Sequence, residues 1–347
     1  MESKKHNVFI IAVIVLLLLS LILCATAIGL WMHGKHSMTQ STETPTLPQH
    51  GITESEVSSK SDMIEYNGKR YRYNDEMINI LLLGIDSESN PADAAGNTDF
   101  SDVIVLAALN MRDNKMTLIS LSRNIMCDIE LQENTSDELS LIHTQLALSY
   151  AYGDGQHGSC EVTKNAVSNI FFGLPIQGYA AYYFNGIGAL NDVVGGVTVE
   201  IPDDFPFSAI KGKEHMKAGN TITLNAEEAV LYVFARNEFR DDANELRMLR
   251  QKQYMLNLIS KAKNIAMNNP TSILSMYDAV DEYLLTNLGI SEISYLATQA
   301  INMEFDSNIH NLPGEIVARE SDGITEYYID QNALFNLMVD IFYTEIT

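Results

Sequence analysis

At 347 residues with 46% apolar content, the chain is long enough to bury a sizeable core as one large domain or two smaller ones. Its formal net charge is -23 although only 19% of residues are charged. Cations are scarce, which argues against a nucleic-acid partner, since such binding rests on basic side chains neutralising phosphates. Three cysteines make no disulfide framework. Cys24 lies in the apolar N-terminal run, and whether Cys127 and Cys160 pair is left open by the sequence.

In chain order, Val8 to Met32 carries no charged residue and is long enough to cross a bilayer as a helix. Lys4 and Lys5 precede it, which places residues 1–7 in the cytoplasm and everything after Trp31 outside the cell membrane, as a single-pass signal anchor over residues 8–32. The competing readings are a removed signal peptide cleaved near Ala25-Thr26-Ala27 and, more weakly, a lipobox at Leu21 to Cys24. Residues 33–62 are rich in Ser, Thr, Pro, Gln and Glu and read as a disordered tether to a folded domain over 63–347.

Within that domain, Ile78 to Ile85, Val103 to Leu109 and Met116 to Leu121 are continuous apolar runs and read as buried strands. Helical patterns follow over Leu139–Tyr152, Glu161–Phe172 and Phe184–Val194, then a short strand over Val197–Ile201. Asn225 is placed to cap a helix running to Arg236, and a longer helix runs from Asn244 to about Asn268. Further helices are predicted over Thr271–Leu285, Ser291–Ile301 and Gln331–Tyr343, with a short strand at Glu326–Ile329. Strands interspersed with helices imply an α/β fold with a mixed central β-sheet flanked by helices. Asp86 ends the first strand, Asp102 opens the second and Arg123 follows the third, so the three are candidates to converge at one end of the sheet.

The segment Ala235 to Gln251 holds Arg236, Arg240, Arg247 and Arg250, four of the nine arginines in the chain. Guanidinium groups present a fork of donors matched to phosphate oxygens, so the cluster suits a multiply charged phosphate. The same residues also fit a solvated helix face neutralised by Glu238, Asp241, Asp242 and Glu245.

The succession NILLLGID, SDVIVLAALN, ISLSRN, the Tyr150 to Gly153 segment, GALNDVVGGVTVEI and the segment ending LRMLRQ resembles the LytR-CpsA-Psr family over about Ile78 to Lys261. The resemblance implies an α/β domain held outside the cell by one N-terminal transmembrane helix. It further implies transfer of a glycopolymer, of the teichoic acid or capsular polysaccharide type, from undecaprenyl pyrophosphate to peptidoglycan, usually with magnesium, the lipid tail lying in an apolar tunnel. Asp86 matches the family's GxD aspartate, Ser101-Asp102 the end of Arg-Ser-Asp, and Arg123 the arginine of Ser-Ile-Pro-Arg-Asp. Arg236 matches the second arginine of Arg-x-Arg, and Arg247, Arg250 and Gln251 the closing Arg-x-x-Arg-Gln. Four positions depart: Phe100 and Phe234 stand where the family has arginines, and Asn124 and Asn244 where it has aspartates.

The roles this implies are pyrophosphate binding by Arg123, Arg236, Arg247, Arg250 and Gln251, Mg2+ binding by Asp86 and Asp102, and catalysis by Asp102, Arg123 and Arg247. Asp102 or Asp99 would take the proton of the attacking hydroxyl, and Arg240 or Asp99 could compensate for the departures. The competing reading is a non-catalytic polyprenyl-pyrophosphate-binding scaffold or regulator of envelope assembly. A third is a lipid diphosphate phosphatase. His143, His157 and His215 have no metal-ligand spacing and read as loop or surface residues.

Overall fold

The computed structural model describes residues 28–39, 43–47, 63–87, 89–132, 139–203, 205–237, 239–240, 242–269, 272–319 and 324–346. The greater part of the anchor expected over residues 8–32 lies outside them. Among the described residues, no helix is long and apolar enough to cross a membrane.

Among the described residues the first element is a helix, α1 (residues 28–39), followed by strands β1 (Met63–Tyr66), β2 (Lys69–Tyr73), β3 (Met77–Asp86), β4 (Phe100–Asn110) and β5 (Lys115–Leu121). A hairpin of β6 (Met126–Gln132) and β7 (Leu139–Gln145) leads through a 3-10 turn to α2 (His157–Ile170) and β8 (Gly178–Tyr183). Then come α3 (Ile187–Val193), β9 (Thr198–Glu200), β10 (Thr221–Thr223), α4 (Ala226–Phe234), α5 (Ala243–Asn268) and α6 (Ser272–Val280). The chain closes with β11 (Leu284–Thr286), α7 (Ile290–Asn302), β12 (Glu304–Asn311), β13 (Gly314–Ala318), β14 (Thr325–Ile329), α8 (Gln331–Phe342) and β15 (Tyr343–Ile346).

Six strands form the central sheet in the order β11-β8-β3-β4-β5-β12. It is mixed: β3 pairs antiparallel with β4 and parallel with β8, and β5 pairs antiparallel with β4 and parallel with β12. The apolar runs of β3 to β5 are continuous because both faces are covered. Leu81, Leu83, Ile85, Ile104, Leu106 and Ile119 face one core with α2 and α8. Ile78, Ile80, Val105, Ala107, Leu109 and Leu118 face another, against α5 and α7. A third core joins α3, α4, β9 and α5 around Phe207 and Tyr232.

Several local expectations are corrected. Leu139–Tyr152 is no helix: LSLIHTQ pairs with MCDIELQ as β7 against β6, and only Leu146–Tyr152 turns, as 3-10. The cross-strand partner decides this, and a single segment does not display it. Strand β8, GYAAYY, was hidden by its alanines, yet Tyr179, Ala181 and Tyr183 are buried together against the sheet's α2 side. The helix expected over Thr271–Leu285 stops at Val280 and gives way to edge strand β11. The tether expected over 33–62 is in part ordered: residues 28–39 are helical, Met38 and Leu47 are buried, and Thr46 N donates to the Phe172 carbonyl at 2.8 Å. Isolated apolar residues in a polar stretch found room in cores built by distant segments.

The predicted cap at Asn225 is present as a capping box: its side chain accepts from Glu228 N at 3.0 Å, and Glu228 Oε2 accepts from Asn225 N at 3.1 Å. Glu228 is 4% exposed and also meets Lys213 at 3.6 Å and His215 Nε2 at 2.9 Å. Asn225→Ala is expected to cost about 1 kcal/mol of stability, read as a lower denaturation midpoint.

Candidate active site at one end of the sheet

Because β3 and β5 both run antiparallel to β4, the end of β3, the start of β4 and the exit of β5 meet at one end of the sheet. The pairing of β3 with β4 slips there: Ile85 faces Ser101 and Gly84 faces Val103, so Asp102 is an extra residue with no cross-strand partner. Such a bulge bends the strand and re-aims a side chain. Ile104 faces Leu121, which carries Arg123, two residues past the end of β5, towards Asp102. Their side chains form an ion pair, Arg123 Nη1 to Asp102 Oδ1, at 2.5 Å. Gly84 is needed at this end, since a Cβ there would meet the Phe184 ring at 2.6 Å and Val103 at 3.0 Å.

The arginine segment reaches the same place from α4 and α5. Burial holds the Arg247 guanidinium below the usual arginine range; Asp102 and Asp86 oppose the shift, while Arg236 and Arg123 add to it. Four side chains from four separate segments thus act on one half-buried guanidinium. Burial also raises the Asp102 carboxyl above the ordinary carboxylate range, offset by Arg123, reinforced by Asp86 and offset again by Arg247. Asp86, Asp102, Arg123, Arg236 and Arg247, drawn from distant parts of the sequence, are therefore neighbours in one electrostatic cluster. Ser101 Oγ, beside Asp102, is buried without a hydrogen-bond partner among the described residues.

Arg250 and Gln251 are placed differently. Arg250 is 3% exposed; its Nε donates to the Tyr232 carbonyl at 2.9 Å, its Nη2 donates to the Ala235 carbonyl, and its guanidinium lies 5.4 Å from the Phe207 ring centre and 6.0 Å from that of Tyr232. Gln251 Nε2 donates to the Val233 carbonyl at 3.3 Å. These contacts fasten the C-terminal end of α4 to α5, satisfying carbonyls that a helix end leaves open. Both residues are positioning residues in this arrangement, holding Arg236 and Arg247 on adjacent elements.

Two of the four departures have structural uses. Phe234 packs edge-to-face on Phe184, with ring centres 5.0 Å apart. Asn124 receives the C-terminal hairpin: its carbonyl accepts from Tyr327 N at 2.9 Å and its Oδ1 from Gln145 Nε2 at 3.4 Å. Phe100 faces Asp86 across the pair of strands and is 39% exposed. The side chain of Asn244 lies outside the described residues. Arg240 makes a bidentate pair with Asp242, both contacts at 2.8 Å, and Asp99 accepts from Asn97 at 3.4 Å.

Residues 38–340 match the LytR_cpsA_psr family. The chain belongs to the LytR-CpsA-Psr family. This family member is 28% identical over 259 residues to the polyisoprenyl-teichoic acid–peptidoglycan teichoic acid transferase TagU of Bacillus cereus, covering 74% of this chain and 75% of that protein. It is 25% identical over 296 residues to the protein of the same name from Enterococcus faecalis, covering 85% and 84%. In structure it resembles TagV of Bacillus subtilis with a TM-score of 0.58 at 20% identity, covering 77% of this chain and 96% of that one. The shared fold is the mixed α/β sheet with flanking helices described above.

His143, His157 and His215 are all exposed, as the sequence reading expects of surface residues. His157 Nδ1 lies 2.6 Å from the Tyr179 hydroxyl, His215 sits on buried Glu228, and exposed His143 meets Asp128 at 2.7 Å. Cys127 and Cys160 are free, buried thiols, and burial pushes both up to about 12. At pH 8 each should then carry on the order of 10³ less thiolate than free cysteine. Ellman's reagent is expected to leave both unlabelled in the native protein and to react with both in denaturant.

Proposed function

We propose that the protein is a membrane-anchored phosphotransferase that moves a glycopolymer from a polyprenyl pyrophosphate carrier to peptidoglycan. The observation that supports this reading is the cluster itself: three guanidinium groups and two carboxylates, one of each held partly out of water, at a single end of the sheet. A diphosphate needs several fixed cations, and positioning with charge stabilisation supplies most of phosphoryl transfer. The transferase names of the relatives point to the same chemistry.

In this scheme Arg123, Arg236 and Arg247 hold the diphosphate, and the lipid tail lies along apolar surface. The acceptor hydroxyl of peptidoglycan attacks the phosphorus on the sugar side. The P–O bond to the lipid-side phosphate breaks, polyprenyl monophosphate leaves with the bond's electron pair, and the sugar ends joined to the acceptor through a phosphodiester. Asp102, whose carboxylate is poorly solvated and hence a stronger base than an ordinary aspartate, accepts the hydroxyl proton. Arg247 and Arg236 meet the charge that grows on the leaving phosphate. Asp86 and Asp102 are hard oxygen donors of the type Mg2+ takes, and among the described residues no group of three His, Cys, Asp or Glu side chains forms a cage. Two carboxylates, completed by phosphate oxygens and water, fit that ion. When bound there it would neutralise charge on the diphosphate.

Residues 8–32 would anchor the chain in the cell membrane with the domain outside. A second reading, a scaffold that binds the carrier without turnover, draws support from Phe234 and Asn124, which are committed to packing where relatives of the motif carry ionisable groups. Full-length protein in vesicles, given a polyprenyl-pyrophosphoryl oligosaccharide, a peptidoglycan oligomer and Mg2+, separates them. Transfer that disappears in Arg247→Ala supports the enzyme. Tight carrier binding with no product in the wild type overturns it in favour of the scaffold, and acceptor-independent phosphate release would indicate a phosphatase.

A further inference from the structure

Helix α1 belongs to no part of the site, yet it is built onto the domain. Its positions alternate between cover and exposure with helical period: Trp31, Gly34 and Met38 face inward, Met38 only 4% exposed, while Ile28, Leu30 and Met32 are 59%, 49% and 61% exposed. The inward stripe meets α7. Trp31 Nε1 donates to Thr298 Oγ1 at 3.0 Å, and its ring packs edge-to-face on Tyr295 with centres 5.4 Å apart. Lys35 Nζ lies 5.8 Å from the Trp31 ring centre, folding the cation back along the helix. At Gly34 the backbones touch: a Cβ added there would fall inside the van der Waals envelope of the Ser291 carbonyl, at the start of α7. Gly29, one and a half turns earlier, faces open space.

We infer that α1 is a rigid neck, following in sequence directly on the proposed membrane anchor, which locks onto α7 and seats the domain directly on the lipid surface rather than on a flexible tether. The inference rests on the anchoring of residues 8–32 proposed above. The occupant around the exposed apolar residues at the start of α1 is the bilayer interface. Ile28, Leu30 and Met32 continue without a break from the uncharged run that precedes them, and Ile290, the first residue of α7, is 57% exposed beside the Gly34 contact. Tryptophan and lysine are also the residues that settle at that depth. Locking at Gly34 fixes how far and at what angle the diphosphate site stands from the membrane that carries its substrate. A tether would leave both to chance.

The test uses the full chain in phosphatidylcholine/phosphatidylglycerol vesicles, with trypsin cleavage after Lys35 as the readout, since protease cuts a locally opened backbone and spares a docked helix. Wild type and Gly29→Leu are expected to be cut slowly and equally. Gly34→Leu and Met38→Asp are expected to be cut at least about 10-fold faster, tracking the opened population. Equal rates in all four proteins would overturn the docked neck. Trp31 is the only tryptophan in the chain, so lipids brominated at shallow or deep acyl positions report its depth. Stronger quenching by the shallow probe is expected, and no quenching of protein that still floats with the vesicles would overturn the seating on lipid. Failure of the wild type to float would instead remove the anchor, while the Lys35 rates would still report the α1–α7 contact.

Discussion

Arg247→Ala is expected to lower kcat/KM for glycopolymer transfer about 10²–10³-fold, roughly 3–4 kcal/mol of transition-state stabilisation, with the fold retained. The size follows from where the side chain sits. It is half-buried, close enough to Asp102, Asp86, Arg123 and Arg236 to feel all four, and burial already disfavours its charge. A cation held partly out of water acts on developing phosphate charge through a lower dielectric than a surface arginine does. Its neighbours Arg123 and Arg236 repel it, and a diphosphate bound among the three would relieve that repulsion, so the arrangement favours the anion. Stability should change little or rise, because the variant removes a desolvated charge beside two like charges. Steady-state kinetics with chemical denaturation as a control checks both parts. An equal fall in binding and unfolding free energy would mean that Arg247 is only structural.

Asp102→Asn is expected to abolish transfer at least as severely while leaving the protein no less stable at pH 7. The sign follows from the raised folded-state carboxyl. Below the ordinary value of 3.8, aspartate is neutral in both the folded and unfolded chain and the substitution changes nothing. As pH rises from there to the raised folded-state value, the unfolded chain releases its proton first, and folding stability falls. Above that window the penalty is fully present, and asparagine, which mimics the protonated acid, escapes it. The same shift places the acid limb of the wild-type kcat/KM profile above that of an ordinary aspartate. Arg247→Ala should move the limb further up, since Arg247 opposes the shift, and Asp86→Asn should move it down, since Asp86 reinforces it. Movement in the reverse directions would show that the titrating group is not Asp102.

The buried strands β3, β4 and β5 are legible in the sequence because both of their faces are covered and their apolar runs are unbroken. The Asn225 cap and the long helix after it are legible because caps and helical periodicity are local. Strand β7 and strand β8 are not, since their identity depends on β6 and on β3, partners separated from them by turns or by whole helices. The same distinction holds in the site. Asp86, Asp102 and Arg123 are readable as strand-end residues, but the bulge that releases Asp102 from pairing appears only in the register of β4 on β3. Arg250 and Gln251 carry the residue types of a phosphate site, and their side chains also brace carbonyls at the end of α4. A motif reports which side chains are present and says nothing of which backbone carbonyls lie nearest. Asn124 and Phe234 likewise look like losses in the motif until the C-terminal hairpin and the Phe184 ring are seen against them.

By itself, the sequence determined the inventory: an apolar leader, an α/β domain, and a small set of arginines and aspartates in a family's order. Inventory depends on residue types and on contacts within a few positions along the chain, and both are written in one dimension. Only the tertiary structure decided which of those charges share a site, which arginine serves the fold, and that the segment following the leader is docked. Those outcomes depend on burial and on charges brought together across more than a hundred residues, where dielectric and distance are properties of the folded chain alone.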